Sequence, residues 1–278
     1  MLLDKSICLL SDFKAFQDEE FQNINWELLF YYGLKCKAIC FLYNKLLISN
    51  CIDLVPSQYF KLMSEIYIGN ICHNHKMNFE KQTITDQLSA IGIKVFDYKN
   101  VFLEKSFKDF LMPNDIDLIA NIYNAQKINR ILLSNGYYVK YVNGERFTKE
   151  ELPKTYKSVL YEMKTVNNYE YPVKIDINFS FQHNCFLETI LSDYISLKHS
   201  DDGIYFLLIN LIEFFEHIKS DFNNISVENL LKIKRLNVQL KCLSCKQKEL
   251  LFELADKYQV ANEYSIMKDI VYNYKSII

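Results

Sequence analysis

Glycine is scarce in this chain. Six occur in 278 residues: Gly33, Gly69, Gly92, Gly136, Gly144 and Gly203. No two are spaced for GxGxxG or for a GxxxxGK run ending in Ser or Thr. Dinucleotide fingerprints and P-loops need glycine where backbone approaches phosphate, so both are excluded. An excess of charge of one sign is also missing. The formal net charge is −2, from 32 basic and 34 acidic residues. That argues against a strongly basic nucleic-acid binder and leaves room for a local basic patch. Long apolar runs are absent as well. The longest, from Ile204 to Phe215, is interrupted by Asn210 and Glu213 and is too short to cross a bilayer. The opening stretch MLLDKSICLLSDFKAFQDEE has a short apolar run broken by acids, and no small-residue cleavage site follows. A cytoplasmic protein with no membrane partner is expected.

What is present is a globular composition. Half the residues are hydrophobic (50%) and 24% are charged, enough apolar surface for a large core. The length fits one or two domains. The 20 Tyr and 20 Phe are expected mostly inside. Eight cysteines occur. Cys242 and Cys245 form a lone CxxC, Cys36 and Cys40 a CxxxC in a helical pattern, and Cys72 neighbours His73 and His75. A structural zinc site needs two such pairs brought together, so the thiols read as reduced side chains packed like small hydrophobes.

Three regions follow one another. Residues 1–92 read as helical. Apolar residues recur helically from Trp26 to Ile48, and a long second helix opens after Pro56, with a break expected near Gly69 and a stop at Gly92. Residues 93–183 change period. IKVFDY reads as a strand, VFLEKSFKDF as a short helix, NDIDLIA as a strand, and IYNAQKINRILLSNG as an amphipathic helix. YYVKYV, SVLYEMKTV and YPVKIDINFSF then read as strands, with GERFTKEELPKTY as a loop. The order describes a small α/β unit. Residues 184–278 return to helix, with Ser200 as a candidate N-cap.

The chemistry-bearing residues lie in the middle region. Asp115 and Asp117 stand at i and i+2, which on a strand puts both carboxylates on one face, about 6.5–7 Å apart. Such a pair repels unless it is solvated or neutralised, and Mg²⁺ suits it because the ion prefers oxygen and keeps positions open for phosphates. Asp176 lies in the apolar strand VKIDINFSF, where an unpaired carboxylate is costly if buried. Lys174 and Asn178 share its face, so a solvated outer face is the simplest reading. A neighbouring position beside the DxD strand, completing a metal triad, is the functional one. Asp97, in a strand pattern beside Lys99, reads equally as a local ion-pair partner of that lysine and as a catalytic group. His217 reads as a core-edge histidine, and His183, Lys154, Lys157 and Lys164 are weaker candidates.

The order strand, helix, DxD strand, helix, later acid strand resembles the polymerase-β-type nucleotidyltransferase superfamily. More closely, it resembles its bacterial group of uncharacterised nucleotidyltransferases. NWELLFYYGLKCKAICFLYNKL is similar to that group's opening helix, and IGIKVFDYKNVFL to its usual G-I-x-x-x-x-L-K-G-x-A-L. NDIDLIANIYNAQKINRILLSNGYYV is similar to its G-D-I-D-L strand with helix and closing G-Y, and VKIDINFSF to its later acidic strand. The resemblance implies an α+β fold: a small mixed-sheet nucleotidyltransferase core flanked by N-terminal and C-terminal helical regions. It implies Mg²⁺-dependent transfer of a nucleoside monophosphate from an NTP such as ATP, with pyrophosphate released. Asp115, Asp117 and Asp176 match the catalytic metal ligands, for two Mg²⁺ ions. Lys99, Asn100 and Lys105 fall where nucleotide-binding residues are expected, with Asn100 in place of the family's glycine. The implied partners are the NTP and an acceptor, with a small molecule, peptide or protein ranked ahead of nucleic acid. The alternative is a nucleotide-, peptide- or small-molecule-binding module that keeps this fold without turnover.

Overall fold

A computed structural model describes residues 24–99, 102–103, 111–147, 152, 157–165, 172–179, 189–190, 202–219 and 227–277. Helices α1 (Trp26–Lys35) and α2 (Ile39–Ile48) lead to α3 (Ser57–Ala90). The sheet strands are β1 (Val95–Asp97), β2 (Ile116–Ala120), β3 (Tyr137–Val142), β4 (Glu145–Arg146), β5 (Ser158–Met163) and β6 (Lys174–Asn178). Helix α4 (Ala125–Ser134) lies between β2 and β3. Helices α5 (Asp202–Ile218), α6 (Val227–Lys241), α7 (Cys245–Lys257) and α8 (Ala261–Ile277) follow the sheet. The class is α+β, as expected.

The spatial order is β1-β2-β6-β5-β3-β4. Strands β2 and β6 run parallel, and the other neighbours antiparallel. Alternation along β2 divides its side chains between two cores. Ile116, Leu118 and Ala120 pack with Ile175 and Ile177 of β6, Ile128 and Leu132 of α4, and Met77, Ile84 and Leu88 of α3. Ile119 turns the other way and joins Tyr98 in a core built from α5, α6, α7 and α8. Paired positions on neighbouring strands share a face, so Phe96, opposite Ile119, meets Phe206 of α5 at 5.7 Å between ring centroids.

The sequence expectations and the structure part at identifiable places. The pattern from Trp26 to Ile48 is two helices rather than one stripe, because Lys37 takes a left-handed conformation at φ 57°. Gly33 permits that corner, since a Cβ there would stand 3.0 Å from Ile39 Cδ1. Helix α3 runs unbroken through Gly69, where nothing lies within 4 Å of an added Cβ. Gly92, at φ 76°, ends the segment as expected. Near the end of the region read as helical, the chain turns at Gln259, φ 57°, between α7 and α8. The short helix expected in VFLEKSFKDF falls mostly outside the described residues, as does Ser200. Within the expected loop, Glu145 and Arg146 form the short β4.

Helix α5 carries the apolar run noted in the sequence. Every residue from Ile204 to Ile212 is buried, and a helix apolar on all sides belongs inside a core. A Cβ at Gly203 would come within 2.5 Å of Phe102 Cζ, so glycine lets α5 approach the segment after β1. Cys36 and Cys40 are buried, and burial pushes the Cys40 thiol up to about 12. Cys242 and Cys245 are exposed free thiols flanking the α6–α7 turn, where Ser244 and Gln247 form a capping box. Among the described residues, no helix is long and apolar enough to cross a membrane.

Candidate active site

Strand pairing brings two of the three expected acids side by side. Asp117 of β2 lies opposite Asp176 of β6 in the parallel register. Both point to the face that Ile119 shares, away from the α3/α4 core. Asp115 is the residue before β2 and is half-buried. The solvated outer face considered for Asp176 is therefore replaced by a half-buried one. Among the described residues, no group of three or more His, Cys, Asp or Glu side chains is drawn together tightly enough to hold a metal by itself.

A lysine stands at the centre of the acids instead. Lys99 Nζ donates to Asp117 Oδ1 at 2.6 Å. The ion pair imagined between Lys99 and Asp97 is not the one formed. Asp97, opposite Leu118, faces the α3 side and accepts from Lys81 Nζ at 2.8 Å. Lys99 also sits over the Tyr98 ring, 5.4 Å from its centroid.

Burial dominates the electrostatics of the acids, with repulsion among them adding to it. Burial pushes the Asp117 carboxyl up to about 6 against the pull of Lys99, with Asp115 and Glu213 adding repulsion. Burial likewise pushes Asp176 up to about 7, and the charges of Asp117 and Asp115 push the same way. Burial pulls the Lys99 ammonium down, but Asp117, Glu213 and Asp115 outweigh it and hold the group above its ordinary value. The Lys99 ammonium thus does not bring either carboxyl back to its ordinary value.

The residue set fits a hard divalent cation on that ground. Paired carboxylate oxygens with uncompensated charge are the ligands Mg²⁺ takes. The ion is usually held by one or two carboxylates plus substrate phosphates, not by an all-protein cage.

The helices after the sheet hold the lysine turn. Asn210 Nδ2 of α5 donates to the Tyr98 carbonyl at 2.7 Å, and Gln239 Nε2 of α6 donates to the Lys99 carbonyl at 3.3 Å. Leaving such a buried acceptor unmet costs about 1–3 kcal/mol. Glu213 lies three residues past Asn210 on α5, and its charge acts on Lys99, Asp117 and Tyr98. Arg235 lies four residues before Gln239 on α6, and its charge interacts with Asp117, Glu213, Tyr98 and Asp97. Sequence reasoning missed these four. The one signal available was that Asn210 and Glu213 are the only polar interruptions of an apolar run, spaced three apart to share a helix face.

Of the remaining candidates, Asn100, Lys105, Lys154 and His183 lie outside the described residues. Lys157 and Lys164 are exposed. His217 is exposed at the end of α5 and stacks near Phe214 at 6.5 Å.

The chain was compared with protein families, curated proteins and solved structures. A family model described as an uncharacterised nucleotidyltransferase matches residues 22–208. Neither the curated proteins nor the solved structures yield a match.

Proposed function

We propose, on the premise that this chain belongs to the uncharacterised nucleotidyltransferase family, that it moves a nucleoside monophosphate from an NTP to an acceptor nucleophile and releases pyrophosphate. The observation that carries the reading is the register of Asp117 on Asp176, with Lys99 bonded to Asp117 and both acids held above the usual carboxylate range.

Asp117 and Asp176, with Asp115 at the edge, would hold Mg²⁺, with two ions completed by the triphosphate. Bound there, the cation chemistry is polarisation of phosphate oxygens and neutralisation of the leaving pyrophosphate. The chain's own groups do the rest. Lys99, already beside Asp117, is within side-chain reach of an arriving phosphate and can exchange its carboxylate partner for it. Asp176, opposite Asp117 in the parallel register, is the carboxylate placed to take the acceptor's proton as the acceptor atom bonds to the α-phosphorus. The bond from that phosphorus to the bridging oxygen breaks, and its electron pair leaves with pyrophosphate. Asn210 and Gln239 keep the Lys99 turn from moving during this exchange.

The test is release of pyrophosphate from each of the four common NTPs, with Mg²⁺ and pools of small-molecule, peptide and protein acceptors. The expected result is Mg²⁺-dependent release with one or more NTPs. Stabilisation by nucleotide with no release from any pool would favour the binding-module alternative. The cytoplasmic location expected from the sequence would suit any of these acceptor pools.

A further inference from the structure

The family-matched segment ends at residue 208. The acids' surroundings do not. Helix α6 lies beyond that segment, yet its Gln239 holds the carbonyl of Lys99. Arg235, one helical turn earlier, lies on the same face of α6 as Gln239. Its Nε is buried and makes no hydrogen bond among the described residues. Its charge interacts with Asp117, Glu213, Tyr98 and Asp97, groups drawn from three elements around the site.

That is an odd arrangement for a structural arginine. A buried guanidinium is costly unless its donors are met, and five N–H groups in a fixed fork usually find carboxylates in bidentate pairs. Among the described residues, no salt bridge joins Arg235 to any of the nearby acids. Asp117 takes Lys99 and Asp97 takes Lys81. The acids hold the arginine by longer-range attraction and leave donor capacity open. A dianionic or trianionic ligand entering beside Lys99 would meet that capacity, and guanidinium–phosphate pairs are among the strongest charge-assisted hydrogen bonds.

We propose that Arg235 is a binding residue for the phosphate chain of the nucleotide, supplied by the C-terminal helices to a site whose acids and lysine come from the sheet. This rests on the nucleotidyl-transfer reading above. It adds a second cation to Lys99 and gives α6 a direct part in holding substrate. It also accounts for a site with so few glycines. Side-chain cations from two elements take the place of a loop of backbone N–H groups.

The test uses magnesium tripolyphosphate, which carries the phosphate chain and no base, alongside the magnesium complexes of the four NTPs. Thermal melting of the full chain is followed against ligand concentration for wild type, Arg235→Met, Arg235→Lys and the exposed-site control Arg130→Met. The expected result has three parts. Arg235→Met melts, without ligand, within a few degrees of wild type, because relief of the unmet buried Nε offsets the attraction lost to the nearby acids. Its half-stabilising ligand concentration rises at least about tenfold. Arg235→Lys recovers part of that loss, as a point charge without the fork, and Arg130→Met behaves as wild type.

Unchanged half-stabilising concentrations in both Arg235 variants would overturn the inference and leave the transfer reading intact. A large fall in the ligand-free midpoint of Arg235→Met, with wild-type ligand response in Arg235→Lys, would assign the arginine to structure and also overturn it. A wild-type chain that responds to neither tripolyphosphate nor any NTP would overturn the transfer reading and the inference together.

Discussion

Asp117→Asn is expected to lower nucleotidyl transfer by about a thousandfold or more while the melting midpoint moves by only a few degrees. The activity loss follows from position. Asp117 faces Asp176 across the parallel pair and bonds Lys99, so it is the point where cation, lysine and second acid meet. Asparagine keeps the shape but removes the negative charge that binds a divalent ion. The small stability change follows from cancellation. A carboxylate pushed up to about 6 by burial is costly to keep ionised at neutral pH, and the substitution removes that cost. It also takes a charged partner from Lys99, which retains the attraction of Glu213 and Asp115. Pyrophosphate release and thermal melting on the same preparation measure both halves. Full transfer by Asp117→Asn would remove the aspartate from the mechanism, and global unfolding would make its role structural.

The second large effect is a pH-dependent response to Mg²⁺. Asp117 and Asp176 are raised in the folded chain to about 6 and about 7, from an ordinary value of 3.8. A raised carboxyl binds its proton more tightly folded than unfolded. Its contribution to stability is therefore full below about pH 4 and is lost as the pH rises through 6 and 7. Mg²⁺ acts in the opposite sense, because it binds the ionised forms and competes with the protons. Added Mg²⁺ should raise the melting midpoint little at pH 5.5 and several-fold more at pH 8. Asp176→Asn should remove the upper part of that rise, between pH 6.5 and 8. Melting curves at fixed ionic strength, with and without Mg²⁺, measure this. An equal Mg²⁺ effect at both pH values would mean that the ion binds elsewhere or not through these carboxylates.

Much of the sheet was legible because its signals are local. NDIDLIA, YYVKYV, SVLYEM and VKIDIN alternate or run apolar over strand lengths, and each forms a strand. The alternation sets Asp117 on the face of β2 that Ile119 shares, and that follows from period alone, while Asp115 stands just before the strand. Which strand lies beside β2 does not. The pairing of Asp117 with Asp176 is a long-range contact, which the residues offer only as one of two readings for Asp176 and which the resemblance favours.

The helical corners were missed for a physical reason. Lys37 and Gln259 take left-handed conformations without being glycine, so the turn is fixed by packing that no local rule reports. The partner of Lys99 was missed for a similar one. Asp97 is nearer in sequence, but strand alternation sends its side chain to the opposite face, where Lys81 waits. The contributions of α5 and α6 were the least visible. Asn210 and Glu213 looked like blemishes in an apolar helix, and Arg235 and Gln239 like ordinary polar residues on an amphipathic one. Only the folded chain brings them to the Lys99 turn.

The most direct test of the site is a crystal structure with Mn²⁺, as an anomalous-scattering substitute for Mg²⁺, and a non-hydrolysable NTP. The predicted result is manganese bound between Asp117 and Asp176, with the triphosphate beside it and Lys99 moved from Asp117 onto a phosphate oxygen. Manganese and nucleotide bound away from these two carboxylates, with the Lys99–Asp117 bond intact, would contradict it.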